Sequence, residues 1–381
     1  MISRKEKKRT WLWGSTGLVL FLCLLSGCAG ISPESGSDLL WSGEAQSLQE
    51  ASGDEQGSMA QEDDGQVQGI PFRLTPEIPE YVMPPEDYAD PLDREASKII
   101  DGAICKAIAA VSVMKDDRHS KVVYPYEEDP HGYTARFSED QRGLYDYIVE
   151  KGRALEAFHV TKESYGRDPV MDYLTISGPI WQCNPDLDSY LYLDIVTDRE
   201  GVIACYFDPD QGAYSSSAAE NNDRDQVRHD ILLMNHIAKR IVDKMPEYLS
   251  AYDRYYYLAA VLSEHVTYDR EPKNAHTAYG ALVCGRAVCE GYSEAYALLC
   301  READLWCAYR WGYPGGDERH QWNMVKLESG IYNVDVTWCD KVECYRPGWY
   351  DYFMLSDEEF ENHGITEGIE GTGSYEPNPY Q

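Results

Sequence analysis

Apolar residues recur at helical spacing over residues 95–115, and the pattern predicts a helix there. Ser138 with Gln141 three positions on forms a capping box, which predicts a second helix reaching to about residue 158. The period then changes. Residues 172–177, 190–197 and 201–207 are rich in Tyr, Val, Ile and Leu, alternate partially and are separated by polar turn residues, so they predict a small antiparallel sheet. A long helical stretch over 219–245 follows. This first part shows no internal repeat and no catalytic constellation; His119, His131, His159, His229 and His236 lie scattered in it and read as surface or packing residues.

Beyond Pro246 the pattern carries chemistry. Ser250 can cap a helix over 252–265, and a polar loop around 272–274 comes next. From Cys289 the apolar stripe is Tyr292, Ala295, Tyr296 and Leu299, so Cys289 opens a helix on its inward face. A thiol there sits beside the partial positive charge and free amides of the helix start, which favour thiolate and can later bind an oxyanion. Gly291 just inside that helix costs about 1 kcal/mol relative to alanine, which a close approach by another backbone would explain. Residues 320–327 and 331–338 read as two strands reversing through Glu328, Ser329 and Gly330. If Leu327 pairs with Gly330, Asp335 lies opposite Trp322 and His320 is its diagonal neighbour on the same face; a three-residue turn would place them on opposite faces.

Composition narrows the classes of function. The chain has 381 residues, 43% of them hydrophobic, which is enough to bury a core in each of two domains. With 66 acidic residues against 34 basic ones the net charge is -32, which argues against nucleic acid as a partner and against a polybasic membrane-surface protein. A basic start (Arg4, Lys5, Lys7, Lys8, Arg9), a short apolar run over 18–25 and Leu25-Ser26-Gly27-Cys28 make residues 1–27 read as a leader. The last four residues resemble the lipobox of bacterial lipoproteins, which implies lipid on Cys28 and export to the outer face of the bacterial cell membrane. Residues 28–93 read as an acidic disordered tether: from 31 to 93 there are fifteen acidic residues and one basic residue, Arg73.

Without Cys23 and Cys28, nine of the eleven cysteines remain. An odd number outside the cytoplasm suggests one reactive thiol beside as many as four bridges, or several reduced thiols if the organism lives without oxygen. No pair has CxxC spacing and no acidic stretch has that of a calcium loop, so no metal or other cofactor is implied.

The blocks Val288-Cys289-Glu290-Gly291-Tyr292, His320-Gln321-Trp322-Asn323 and Asp335-Val336-Thr337-Trp338 resemble the core of the transglutaminase-like superfamily in content and order. His320 follows Cys289 by 31 residues and Asp335 follows His320 by 15. The resemblance implies an α+β, papain-like fold, with the nucleophile at a helix N-terminus against an antiparallel sheet, preceded by a smaller α+β region. It also implies a triad: Cys289 as nucleophile, His320 as the base, Asp335 as the acceptor that orients the imidazole. The expected division is a leader (1–27), a tether (28–93), an N-terminal α+β region (94–245), a catalytic domain (246–365) and a C-terminal tail (366–381).

Among the aromatics, Trp322 is the candidate to wall an acyl pocket, while Tyr332 and Trp338 read as core. His265, His276 and His363 read as structural, Glu290 and Asp269 as helix-end or surface electrostatics, and residues 312–317 as a lip or simple connection before His320. Two functions fit: a surface-tethered acyl-transfer enzyme acting on exposed protein or cell-wall peptide, by hydrolysis or crosslinking, and a binding or scaffolding module that keeps the fold without turnover.

Overall fold

Pro91 occupies the first position of helix α1 (Pro91–Val113), where a missing N–H costs nothing, and the helix buries Ile100, Ile104, Ala107 and Val111 along one side. The structure is a computed structural model of the chain, and it describes residues 80–84, 86, 90–113, 121–156, 158–191, 194–197, 203–207, 224–314, 318–340, 350–360 and 363. The leader, Cys28, most of the tether, the tail over 366–381, His119, Cys344 and residues 315–317 of the expected lip lie outside the described residues.

The capping box at Ser138 forms in both directions and opens α2 (Glu139–Arg153). That helix ends earlier than its pattern suggests, because Leu155 takes a left-handed φ of 51° and the chain turns into β1 (Phe158–Val160). A single turn, α3 (Lys162–Tyr165), precedes α4 (Val170–Cys183). Here the expected strand over 172–177 is corrected to helix. Tyr173, Ile176, Ile180 and Cys183 are all buried, and their spacing of three, four and three is that of a helix face. Pro179, which lacks an N–H to donate, lies inside the helix. The sheet is made instead by β1, β2 (Asp194–Thr197) and β3 (Ile203–Phe207), antiparallel in the order β1-β3-β2.

After α5 (Arg224–Asp243), Ser250 caps α6 (Ala251–His265) by accepting the Asp253 N–H. Two short parallel strands, β4 (Thr267–Tyr268) and β5 (Arg286–Ala287), flank α7 (Ala278–Leu282) and lead into α8 (Cys289–Glu302). The remaining sheet is antiparallel in the order of its sequence: β6 (Cys307–Gly312), β7 (His320–Leu327), β8 (Gly330–Val334) and β9 (Phe353–Leu355). Leu327 pairs with Gly330, so the β7–β8 hairpin has the two-residue reversal that keeps register. The second expected strand is two elements, however: β8 stops at Val334, and α9 (Val336–Cys339) follows.

The large core is continuous across α1, α5, α6, α8 and the four-stranded sheet. A smaller core gathers residues of α2, α4 and the chain up to Leu191, with Val227 joining it from α5. The core crosses the point near Pro246 beyond which the sequence carries chemistry: α1 and α5 bury their apolar faces in the same cluster as the helix of Cys289. The smaller unit docks through Asp186, which takes Arg301 at 2.5 Å, and through Ser189, whose hydroxyl accepts the Tyr279 N–H. Burial works against the charge on Asp186, but Arg301 and Arg153 hold its carboxyl below the usual range.

Candidate active site

Cys289 is the first residue of α8, preceded by Val288 in extended conformation without any side-chain cap. No cap side chain takes up the first amides of the helix, which begin at the thiol. The approach to this point is fixed by backbone: the Val288 N–H donates to the Ala275 carbonyl, and β5 is tied to β4 just before it. Gly291 explains its own presence. A Cβ there would meet the carbonyl oxygens of Ala275 at 2.5 Å and Thr277 at 2.9 Å, so the loop can lie directly on the helix only if residue 291 has no side chain.

His320 starts β7, and two side chains from that strand clamp it to α8. Gln321 donates to the Ser293 hydroxyl at 2.7 Å, and Asn323 donates to the Ser293 carbonyl at 3.0 Å. The helix that carries the thiol and the strand that carries the imidazole are joined one turn from Cys289. The imidazole lies between two indoles, with centroids 5.9 Å from Trp322 and 5.2 Å from Trp338 and both planes within 30° of its own.

Asp335 is the N-cap of α9, and its Oδ1 accepts the Trp338 N–H at 3.1 Å. Its Oδ2 lies 2.7 Å from Nε2 of His320 and 3.1 Å from Nε2 of His363. The carboxylate is fully buried. An ionised carboxylate only accepts hydrogen bonds, so His320 carries its proton on Nε2 and turns Nδ1 elsewhere. Cys289 is the other side chain that favours charge on this ring.

Burial disfavours charge on His320, but Asp335 and then Cys289 outweigh it and push the imidazole up to about 10. Burial likewise disfavours charge on Asp335, yet His320 and His363 hold it at about 2. Both shifts favour the charged pair, imidazolium beside carboxylate. With Cys289 only partly buried, the arrangement can present a thiol to solvent while its orienting groups stay dry.

Other expectations fare differently. Trp322 does not wall a pocket: it is 1% exposed, gives its indole N–H to Asn333 at 2.9 Å, and packs on Phe360 beneath His320. Trp338, expected in the core, is the more accessible of the two indoles that flank the imidazole. Six cysteines (105, 183, 284, 289, 300 and 307) are free thiols, so four bridges do not form; Cys300 and Cys307 are buried in the apolar core, where a thiol packs as a small hydrophobe. Glu290 pairs with His276 at 2.9 Å and Asp269 pairs with Arg286, both at the surface as their positions suggest.

His363, which reads from the sequence as a structural histidine, lies at the site beside Asp335. It comes 43 positions after His320, in no motif, and only the chain's return past β9 brings it to Asp335. His320, Asp335 and His363 have ligand atoms within 4.8 Å of one another, as do the more exposed Asp90, Asp93 and His236. In the buried trio one oxygen already accepts both imidazole N–H groups, so an ion would have to displace a proton from each ring.

Residues 235–339, 105 of the 381, match the family model of the transglutaminase-like superfamily. The match begins inside α5 and ends with α9, and it contains Cys289, His320 and Asp335. No curated protein matches the chain. Among solved structures, one described as a putative cysteine protease from Cytophaga hutchinsonii is similar at 11% identity and a TM-score of 0.25. The alignment covers 48% of this chain and 65% of that one, and a likeness this distant carries no argument about the chain described here. The chain is α+β, with a transglutaminase-like domain over 235–339 built on an antiparallel sheet.

Proposed function

We propose that this chain is a cysteine-dependent acyl-transfer enzyme acting on peptide or glutamine amides through a thioester on Cys289. The observation that carries the reading is the buried relay: an imidazole held 2.7 Å from a fully buried carboxylate, with a thiol at an uncapped helix start near enough to favour charge on the ring. A strand histidine that served packing alone would not need an ionised acceptor beneath it and a thiol above it.

The chemistry follows from those positions. His320 holds the thiol proton, and the sulfur attacks the amide carbonyl to form a carbon–sulfur bond. The free amides at the start of α8 face the oxygen as it gains charge. The carbon–nitrogen bond breaks as His320 passes its proton to the leaving amine, which is ammonia when the donor is glutamine. Water or a second amine then gives a proton to His320 and attacks the thioester, releasing acid or amide and the free thiol. Asp335 keeps Nε2 protonated throughout, so that Nδ1 does the exchanging.

The Leu25-Ser26-Gly27-Cys28 motif and the acidic stretch after it support a location on the outer face of the bacterial membrane, with a lipid on Cys28 as anchor. Exposed protein or cell-wall peptide is then the substrate within reach. The test is to give the complete chain glutamine-containing and cell-wall peptides, with and without a fluorescent primary amine, and to follow amide cleavage, ammonia release and amine incorporation. Turnover that disappears in Cys289→Ala supports the reading; turnover that survives in Cys289→Ala, or binding without turnover across these donors, rejects it in favour of a binding module.

A further inference from the structure

We infer that His363 is a positioning residue for the relay: it donates its Nε2–H to Asp335 and thereby fixes the carboxylate oxygen on which His320 depends. This deepens the acyl-transfer reading and rests on it for its catalytic meaning. The geometry itself does not.

Asp335 has no exposure to solvent, so water cannot complete its hydrogen bonding. Its Oδ1 is tied to the Trp338 N–H, and Oδ2 meets both imidazoles, at 2.7 Å and 3.1 Å. Three donors on one carboxylate leave it no rotation. With the Trp338 contact alone on one side and His320 alone on the other, the carboxylate could swing with the ring it is meant to orient; the third donor, from a separate part of the chain, prevents that.

His363 is itself held firmly. Ser356 and Glu359 reciprocate backbone and side-chain hydrogen bonds to form a turn after β9, and the His363 N–H donates to the Phe360 carbonyl at 3.0 Å. Its ring stacks on Phe360, with centroids 3.4 Å apart and planes 15° from parallel, and lies 4.2 Å from Trp338. The residue is 3% exposed. A buried imidazole in an aromatic box aims one N–H at the oxygen that sets the tautomer of the base. Since that oxygen can only accept, the proton on His363 sits on Nε2.

Two measurements on the complete chain test this. With histidine rings labelled with nitrogen-15, the His363 ring should show a protonated, hydrogen-bonded Nε2 that exchanges slowly with water. His363→Phe keeps the ring and removes the donor, and His363→Gln restores an N–H. The Phe variant should shift the His320 ring signals and slow alkylation of Cys289 by iodoacetamide by about 10- to 100-fold, and the Gln variant should recover much of that loss at similar melting temperature. An unprotonated His363 Nε2 overturns the inference, and so does a folded Phe variant with unchanged His320 signals and an alkylation rate within twofold of the parent. If the Phe variant does not fold, the parent's ring spectrum decides. A Cys289 that in the parent reacts no faster than the other thiols counts against acyl transfer, and the ring spectrum then decides the role of His363 separately.

Discussion

His320 and Asp335 meet at 2.7 Å although the backbone between them passes from strand to helix: β8 ends at Val334, and Asp335 leaves the ladder to cap α9. A residue that continued the strand would offer its carboxylate perpendicular to the sheet with nothing to hold its second oxygen. As an N-cap, Asp335 fixes one oxygen on the Trp338 N–H and turns the other to the imidazole. The Asp335 N–H is in turn held by the Tyr352 carbonyl at 2.9 Å.

Asp335→Asn should keep the fold and lose most of the acyl transfer. The amide oxygen can still cap α9, but an amide N–H facing His320 forces the proton from Nε2 to Nδ1, where the thiol proton must be received. We expect kcat to fall by about 10³- to 10⁴-fold with little change in KM. Steady-state kinetics beside a far-ultraviolet circular dichroism spectrum checks both halves of the statement.

Stability should depend on pH in two separate windows. The His320 imidazole is raised from 6.5 to about 10, so its contribution is complete below 6.5 and is lost as pH rises through about 10. The Asp335 carboxyl is lowered from 3.8 to about 2, so its contribution is complete above 3.8 and is lost as pH falls through about 2. The difference in melting temperature between the parent and Asp335→Asn should therefore be greatest between about pH 4 and 6.5 and narrow toward both ends. A difference that does not vary with pH would show that the two groups are not coupled in this way.

A chain truncated to begin at Pro246 should not fold stably. Ile100, Ile104, Ile237 and Ile241 are fully buried in the same core as α6 and α8, and exposing the surfaces they cover loses about 1.5–3 kcal/mol for each. That sum is comparable with the entire stability of an ordinary domain, about 5–15 kcal/mol. Chemical denaturation of the truncated chain, compared with one beginning near Pro91, provides the check; equal midpoints would contradict it.

The elements with strong local signals are legible in the sequence. Ser138 with Gln141, Ser250, and the stripe behind Cys289 each announce a helix start that the structure contains, because a cap and a periodic face are properties of neighbouring residues. Gly291 also speaks for itself, through the carbonyls it admits. Where sequence and structure part, contacts outside the local window decide. Tyr173 and Ile176 have the composition of a strand, and only the burial of Ile180 and Cys183 beyond Pro179 reveals the helical period. Asp335 followed by a backbone N–H at Trp338 is a capping signal that the strand-like Val336, Thr337 and Trp338 obscure. Trp322 suggests a pocket wall because it sits beside His320 in sequence, whereas Asn333, across the hairpin, draws its indole inward. His363 has no local signal at all.

Anchoring rests on the motif at Leu25-Ser26-Gly27-Cys28. Cys28→Ser should leave the precursor uncleaved, or release the protein from the membrane fraction, without altering the catalytic core. Fractionation with metabolic labelling by a fatty-acid analogue tests this, and labelled, cleaved protein recovered from the mutant would rule the anchor out.

If Cys289 is a nucleophile made ready by His320, competitive alkylation reads that readiness without any knowledge of the substrate. The folded, complete chain is treated briefly with limiting iodoacetamide near pH 5, where ordinary thiols react slowly, and the modified cysteine is located by peptide mass spectrometry. Cys289 should be labelled well ahead of Cys284, the exposed thiol among those described, and the preference should vanish in His320→Gln. Labelling of Cys284 at an equal or greater rate, or a preference for Cys289 that persists without His320, would contradict the assignment of nucleophile and base.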